Sequence, residues 1–164
     1  MNPEANLFID GELVAAASGK TYPNINPATE EVIGAVADAG PQDMDRAIAS
    51  ARRAFDETDW STNHAFRHKC IAQLRDGLQA VREDFKLQIS AETGAPLFIC
   101  GEMGPQCDLP IGFIDYTLEQ LPKVEWSRDA GLAEKMGITR RRLVEKEAIG
   151  VVACVTPWNV PLQI

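Results

Sequence analysis

The chain has 164 residues, 45% of them apolar, and a formal net charge of −8, the length and composition of one ordinary globular domain. No apolar run approaches the roughly 20 residues of a membrane span. Met1–Glu4 is polar and acidic, with neither the basic start nor the apolar stretch of an export signal, so a cytoplasmic location is expected by default.

The acidic balance argues against nucleic acid as a partner. Cys70, Cys100, Cys107 and Cys154 include no C-x-x-C pair and read as reduced thiols. In Asn6–Val14, two short apolar runs flank Asp10-Gly11, a dipeptide suited to the positive φ values of a two-residue type I′ hairpin. Thr21–Asn26 and Glu31–Ala37 read as two more strands, split by the Asn26-Pro27 turn.

Pro41, just after Gly40, opens a helix that runs to about Glu57, with Met44, Ala47, Ile48, Ala51, Ala54 and Phe55 at helical spacing. A second helix is expected over about Asn63–Val81. A third spans about Glu83–Thr93 and is closed by Gly94 as its left-handed terminal residue. Gly101, Gly104, Pro105 and Pro110 predict irregular backbone over Leu97–Pro110, and a last helix should cover Ile111–Leu121. In Gly137–Glu147 charges fall on both alternation faces, so neither face can be deeply buried and a solvated hairpin is the plain reading.

Chemistry-bearing clusters are few. His64 and His68 stand four apart, but Ala65, Phe66 and Arg67 between them complete no zinc motif. A solvated helix edge is expected there, and no metal site. Cys70 on a helical face and Cys154 in an apolar strand read as small hydrophobes, whereas Cys100 and Cys107 read as more accessible. The paired carboxylates fall in polar settings that would not raise a pKa, and the chain has neither G-x-G-x-x-G nor a P-loop.

Gly150–Ile164 is the informative stretch. Gly150–Val155 is almost unbroken apolar sequence rich in valine, as in a strand buried on both faces of a parallel sheet. Pro157 should end it. Asn159 suits an N-cap and Pro161 a first helical turn. Strand, tight loop and helix start form the place where open α/β sheets bind ligands. As a cap, Asn159 could accept a bond only from the Leu162 N–H, because Pro161 has none. Its NH₂ group would then face outward, a donor of the kind that stabilises an oxyanion. Cap alone and cap with donor both remain open on these grounds.

Thr156-Pro157-Trp158-Asn159-Val160-Pro161-Leu162 resembles a signature segment of the NAD(P)-dependent aldehyde dehydrogenase superfamily. So, in the same order, do Phe8–Glu12, Asn26–Ile33, Ala51–Phe55 and Glu92–Pro96. The resemblance covers the whole chain; Leu13, Ala95 and Val160 depart from the commoner Trp, Lys and Phe. It implies an α/β fold of small strands, about four helices, a bridging arm strand and the first strand of a Rossmann-like sheet that lacks the usual glycine fingerprint. It also implies NAD or NADP as cofactor, an aldehyde as substrate, Asn159 as the oxyanion donor, and Val155, Thr156, Pro157 and Trp158 as lining the cofactor cleft. Gly137–Glu147 would belong to the arm that joins subunits of a homo-oligomer.

The expected organisation is residues 1–125 as hairpin and helical part, 126–148 as the arm, and 149–164 as the opening of the nucleotide-binding sheet. In the family a cysteine thiolate attacks the aldehyde, hydride leaves to the nicotinamide, and a glutamate-activated water cleaves the thioester. None of the four cysteines matches the nucleophile's setting. One turn of helix after Asn159 and a buried-type strand without parallel neighbours give the same expectation. The sequence reads as the N-terminal portion of a longer enzyme, or one piece of a split one, inactive alone. The alternative is a non-catalytic truncated relative that acts as an interaction partner.

Overall fold

The computed structural model describes residues 5–101 and 104–163; the expectations for Met1–Glu4 and Ile164 lie outside them. The opening hairpin forms as the sequence requires. β1 (Leu7–Ile9) pairs antiparallel with β2 (Glu12–Val14), and Asp10 and Gly11 take φ of 60° and 81°, as in a type I′ turn. Leu13 lies opposite Phe8, and both are exposed. β3 (Thr21–Ile25) pairs antiparallel with β4 (Val32–Ala37). The Asn26 side-chain oxygen accepts from the Ala28 and Thr29 amides, which folds the link into an Asx turn.

α1 (Pro41–Glu57) starts where Pro41 predicts. The buried Asp43 carboxylate accepts from the Gly40 amide at 3.0 Å and from the Ala17 amide at 3.0 Å. It therefore caps its own helix and fastens the strand region to it. α2 (His64–Ala80) is capped by Asn63, whose side chain accepts from the Phe66 amide at 2.9 Å. α3 (Arg82–Thr93) ends at Gly94 with φ of 73°.

Leu97–Cys100, expected to be irregular, forms one helical turn, α4. α5 (Asp108–Gln120) begins earlier than expected and carries Pro110 in its first turn, where a missing N–H costs nothing. A 3-10 turn at Leu121–Lys123 then accommodates Pro122. α5 packs against α2, and the core is Ile89, Cys100, Cys107 and Ile111, flanked by Leu78, Phe85 and Leu162. Cys100 and Cys107, expected to be accessible, are both 0% exposed. The α4 turn, unforeseen in the sequence, carries Cys100 inward, and Cys107 immediately precedes α5.

The arm is a hairpin of β5 (Ser127–Lys135) and β6 (Ile138–Glu145). Met136 and Gly137 occupy its turn with φ of 57° and 72°. Every residue of β6 is exposed, as its two-sided charge demands. The register shifts between Asp129 and Leu132. At this bulge Asp129 accepts from the Gly131 amide at 2.8 Å and from Arg141 Nε at 3.0 Å.

Gly150–Val155 departs from expectation. It is irregular, without a ladder partner among the described residues. Ile149 is 92% exposed and Val155 95%, and Cys154 is exposed rather than buried. A parallel strand needs neighbours to bond and bury it; among the described residues none lies beside this segment.

Candidate functional site

The candidate site is the path from Gly150 to Gln163. Gly150, with φ of 117°, turns the chain beside Arg52; a Cβ there would lie 3.1 Å from Arg52 Nη1. Val155, Thr156, Pro157 and Trp158 follow in sequence, all exposed. Among the described residues the backbone of 147–158 makes no hydrogen bond. Its peptide groups and its apolar Val155 and Trp158 side chains are therefore open to whatever covers them.

The chain is tied down again at Asn159, differently from the sequence-based expectation. Among the described residues no helix starts there: residues 158–160 bend and Pro161–Gln163 form a turn. The Asn159 side chain caps nothing among the described residues. In a helix its carbonyl would accept from the amide four residues on, that of Gln163. Instead the Gln163 amide donates to the Val160 carbonyl at 3.0 Å. Gln106 takes the vacant place, with Nε2 donating to the Asn159 carbonyl at 2.7 Å. Leu162 packs onto the helical core three residues further on. The backbone of Asn159 is thus fixed while its side chain stands exposed and unpartnered among the described residues.

Gln106 is absent from the sequence-derived site because its partner lies 53 positions away. Its only local signal is a polar residue wedged between Gly104-Pro105 and the start of α5. It is 7% exposed, and its Oε1 is buried without a hydrogen-bond partner. Gly104 shapes the approach: a Cβ on it would lie 1.8 Å from the Ile99 carbonyl oxygen, which no side chain could accommodate.

Cys100 and Cys107 offer no accessible nucleophile. Burial raises the pKa of Cys100; it does the same for Cys107, where the Asp108 charge adds to the rise. Both remain thiols, and inert ones. Lys86 lies 3.1 Å from Asp108 and 3.0 Å from Glu83, and its pKa is raised, first by the Glu83 hydrogen bond. It is thereby a charged structural link and not a free amine base.

His64 and His68 are not a solvated edge; both are half-buried. His64 stacks on Trp126 with ring centroids 4.1 Å apart, and Arg67 lies over the same indole at 5.3 Å while donating to His64. The pair packs the root of the arm against α2. Among the described residues no three His, Cys, Asp or Glu side chains converge as metal ligands, and no helix is long and apolar enough to cross a membrane.

Known proteins match this arrangement closely. The profile of the aldehyde dehydrogenase family matches residues 13–164. Aldehyde dehydrogenase family 2 member C4 of Arabidopsis thaliana is 34% identical over 94% of this chain and 30% of its own length. Aminoacetaldehyde dehydrogenase of Pseudomonas aeruginosa is 34% identical with the same shares covered. Among solved structures, the Mycobacterium tuberculosis aldehyde dehydrogenase complexed with NAD+ superposes with a TM-score of 0.85 at 31% identity, over 96% of this chain and 32% of that one. The aldehyde dehydrogenase KauB from Pseudomonas aeruginosa gives 0.87 at 27%, over 99% and 32%. The chain spans about 30% of the length of these curated relatives. With the family profile matched over residues 13–164 and relatives 34% identical over 94% of its length, this chain belongs to the aldehyde dehydrogenase family.

Proposed function

We propose that these residues supply the oxyanion donor and one wall of the cofactor cleft of an NAD(P)-dependent aldehyde dehydrogenase that oxidises an aldehyde to a carboxylic acid. Asn159 carries the reading: its backbone is held by Gln106 while its side-chain NH₂ has no partner among the described residues. When a thiolate attacks an aldehyde carbon, the carbonyl oxygen gains negative charge, and an amide N–H already aimed at that position stabilises it without reorganising. Bound NAD(P) supplies the acceptor for the hydride. Val155, Thr156, Pro157 and Trp158 fit one side of that cofactor, because they offer open peptide groups and apolar surface on a stretch with no intrachain partner.

The thiolate and the general base come from polypeptide outside these 164 residues. Two of the four cysteines are sealed in the core, Cys70 is half-buried on α2, and Cys154 lies on the unpaired segment. The arm, residues 126–148, joins copies into a homo-oligomer, a role that suits its exposed strands and their open edges.

Following aldehyde-dependent NAD(P)H formation tests this. A full-length enzyme bearing this segment turns over, whereas the 164-residue chain alone does not. Robust turnover by the chain alone would place the nucleophile within it, contrary to the proposal. The second reading, a non-catalytic partner that pairs through the arm, is favoured by the complete exposure of β6. It takes over if the full-length polypeptide oxidises no aldehyde yet co-elutes with an active relative.

A further inference from the structure

Gln106 sits far from the segment that carries the chemistry, yet it makes the one side-chain hydrogen bond to that segment among the described residues. Three features single it out. It is buried, so its amide is confined. Its donor occupies the Asn159 carbonyl that a helix would bond to the Gln163 amide, and that amide donates to Val160 instead. Its Oε1 is left buried and unpaired, which costs stability and gives the fold no return of its own.

The orientation is unambiguous, because reversing the amide would set two oxygens against each other at 2.7 Å. The loop that delivers it is equally constrained: Gly104 is the only residue type compatible with the Ile99 carbonyl, and Cys107 beside it is locked in the core.

We propose that Gln106 is a positioning residue for the oxyanion donor. It holds the carbonyl of Asn159 so that the Asn159 side chain projects from a fixed backbone without needing to cap a helix. The proposal rests on the reading of Asn159 given above. Gln106 touches neither substrate nor cofactor; it acts through the turn.

The test uses Gln106→Met in the full-length enzyme. Methionine matches the shape, removes the donor, and also removes the unpaired oxygen, so thermal stability should be unchanged or slightly higher. The kcat should fall roughly ten- to a hundredfold, the scale of a displaced catalytic group, with KM for aldehyde and cofactor unchanged. The side-chain NH₂ resonance of Asn159, identified by its loss in Asn159→Ala, should shift. In the Asn159→Ala background Gln106→Met should cost nothing further.

An unmoved resonance, an unchanged kcat, or an equal loss with and without Asn159 would each overturn the proposal. A kcat insensitive to Asn159→Ala would instead refute the oxyanion reading; the resonance would still report on the anchor, so the two failures are distinguishable. Should Gln106→Met fold poorly, Gln106→Asn keeps the amide on a stem one methylene shorter. Partial recovery of kcat with the resonance displaced less supports the anchor, and a loss as complete as that of Gln106→Ala contradicts it.

Discussion

β6 and the segment 150–155 invert the usual relation between sequence and strand. Ile138–Glu145 carries four charged residues and exposes all eight positions, yet it is a strand. Gly150–Val155 is almost wholly apolar and rich in valine, yet it is not one. The difference is a partner. β6 has β5 folded back on it through the Met136-Gly137 turn, and this local pairing satisfies its backbone whatever its side chains do. The second segment has the side chains of a sheet interior but no neighbour among the described residues. Strand propensity describes a fit to a surface already present; it does not create the surface.

The same contrast orders the expected cost of substitutions: the more intrachain partners a group has, the more its loss should matter. Asp43 has the most. Its carboxylate accepts from Ala17 and Gly40 and lies 3.5 Å from Arg46, so Asp43→Ala leaves two amides without their charged acceptor. Chemical denaturation should read a loss of about 2–4 kcal/mol, and a loss below about 0.5 kcal/mol would break the rule.

A smaller effect is expected at the arm. Asp129 has its pKa lowered, first by the Gly131 amide and then by Arg141. A carboxylate depressed in the folded state contributes stability above its ordinary unfolded value near pH 4, and loses it as pH falls through the depressed value. The Gly131 amide resonance should therefore titrate below about pH 4, and Asp129→Asn should abolish that transition. At the bottom of the scale lies Val152→Ser. In the 164-residue chain this side chain is exposed, so that chain's stability should change by less than about 0.5 kcal/mol; a larger loss would mean that the segment is packed.

What the sequence made legible was local. Asp10-Gly11, Pro41, Asn63 and Gly94 each carry their structural instruction within a few residues, and the elements turn, start or stop where they indicate. Features decided by distant partners were illegible. Cys100 and Cys107 became core because α3 and α5 close over them. His64 became half-buried because Trp126, 62 residues away, stacks on it. The bond that holds the Asn159 carbonyl was illegible because its donor comes from residue 106. Asn159 was singled out from its neighbours in sequence; the contact that holds its backbone could not be.

The most direct measurement is the turnover of Asn159→Ala in the full-length enzyme, with folding verified by thermal unfolding. The account predicts a fall in kcat on the order of 10²–10³, the cost of one oxyanion donor, with little change in stability because this side chain bonds to nothing in the described fold. A kcat equal to that of the unaltered enzyme would contradict it.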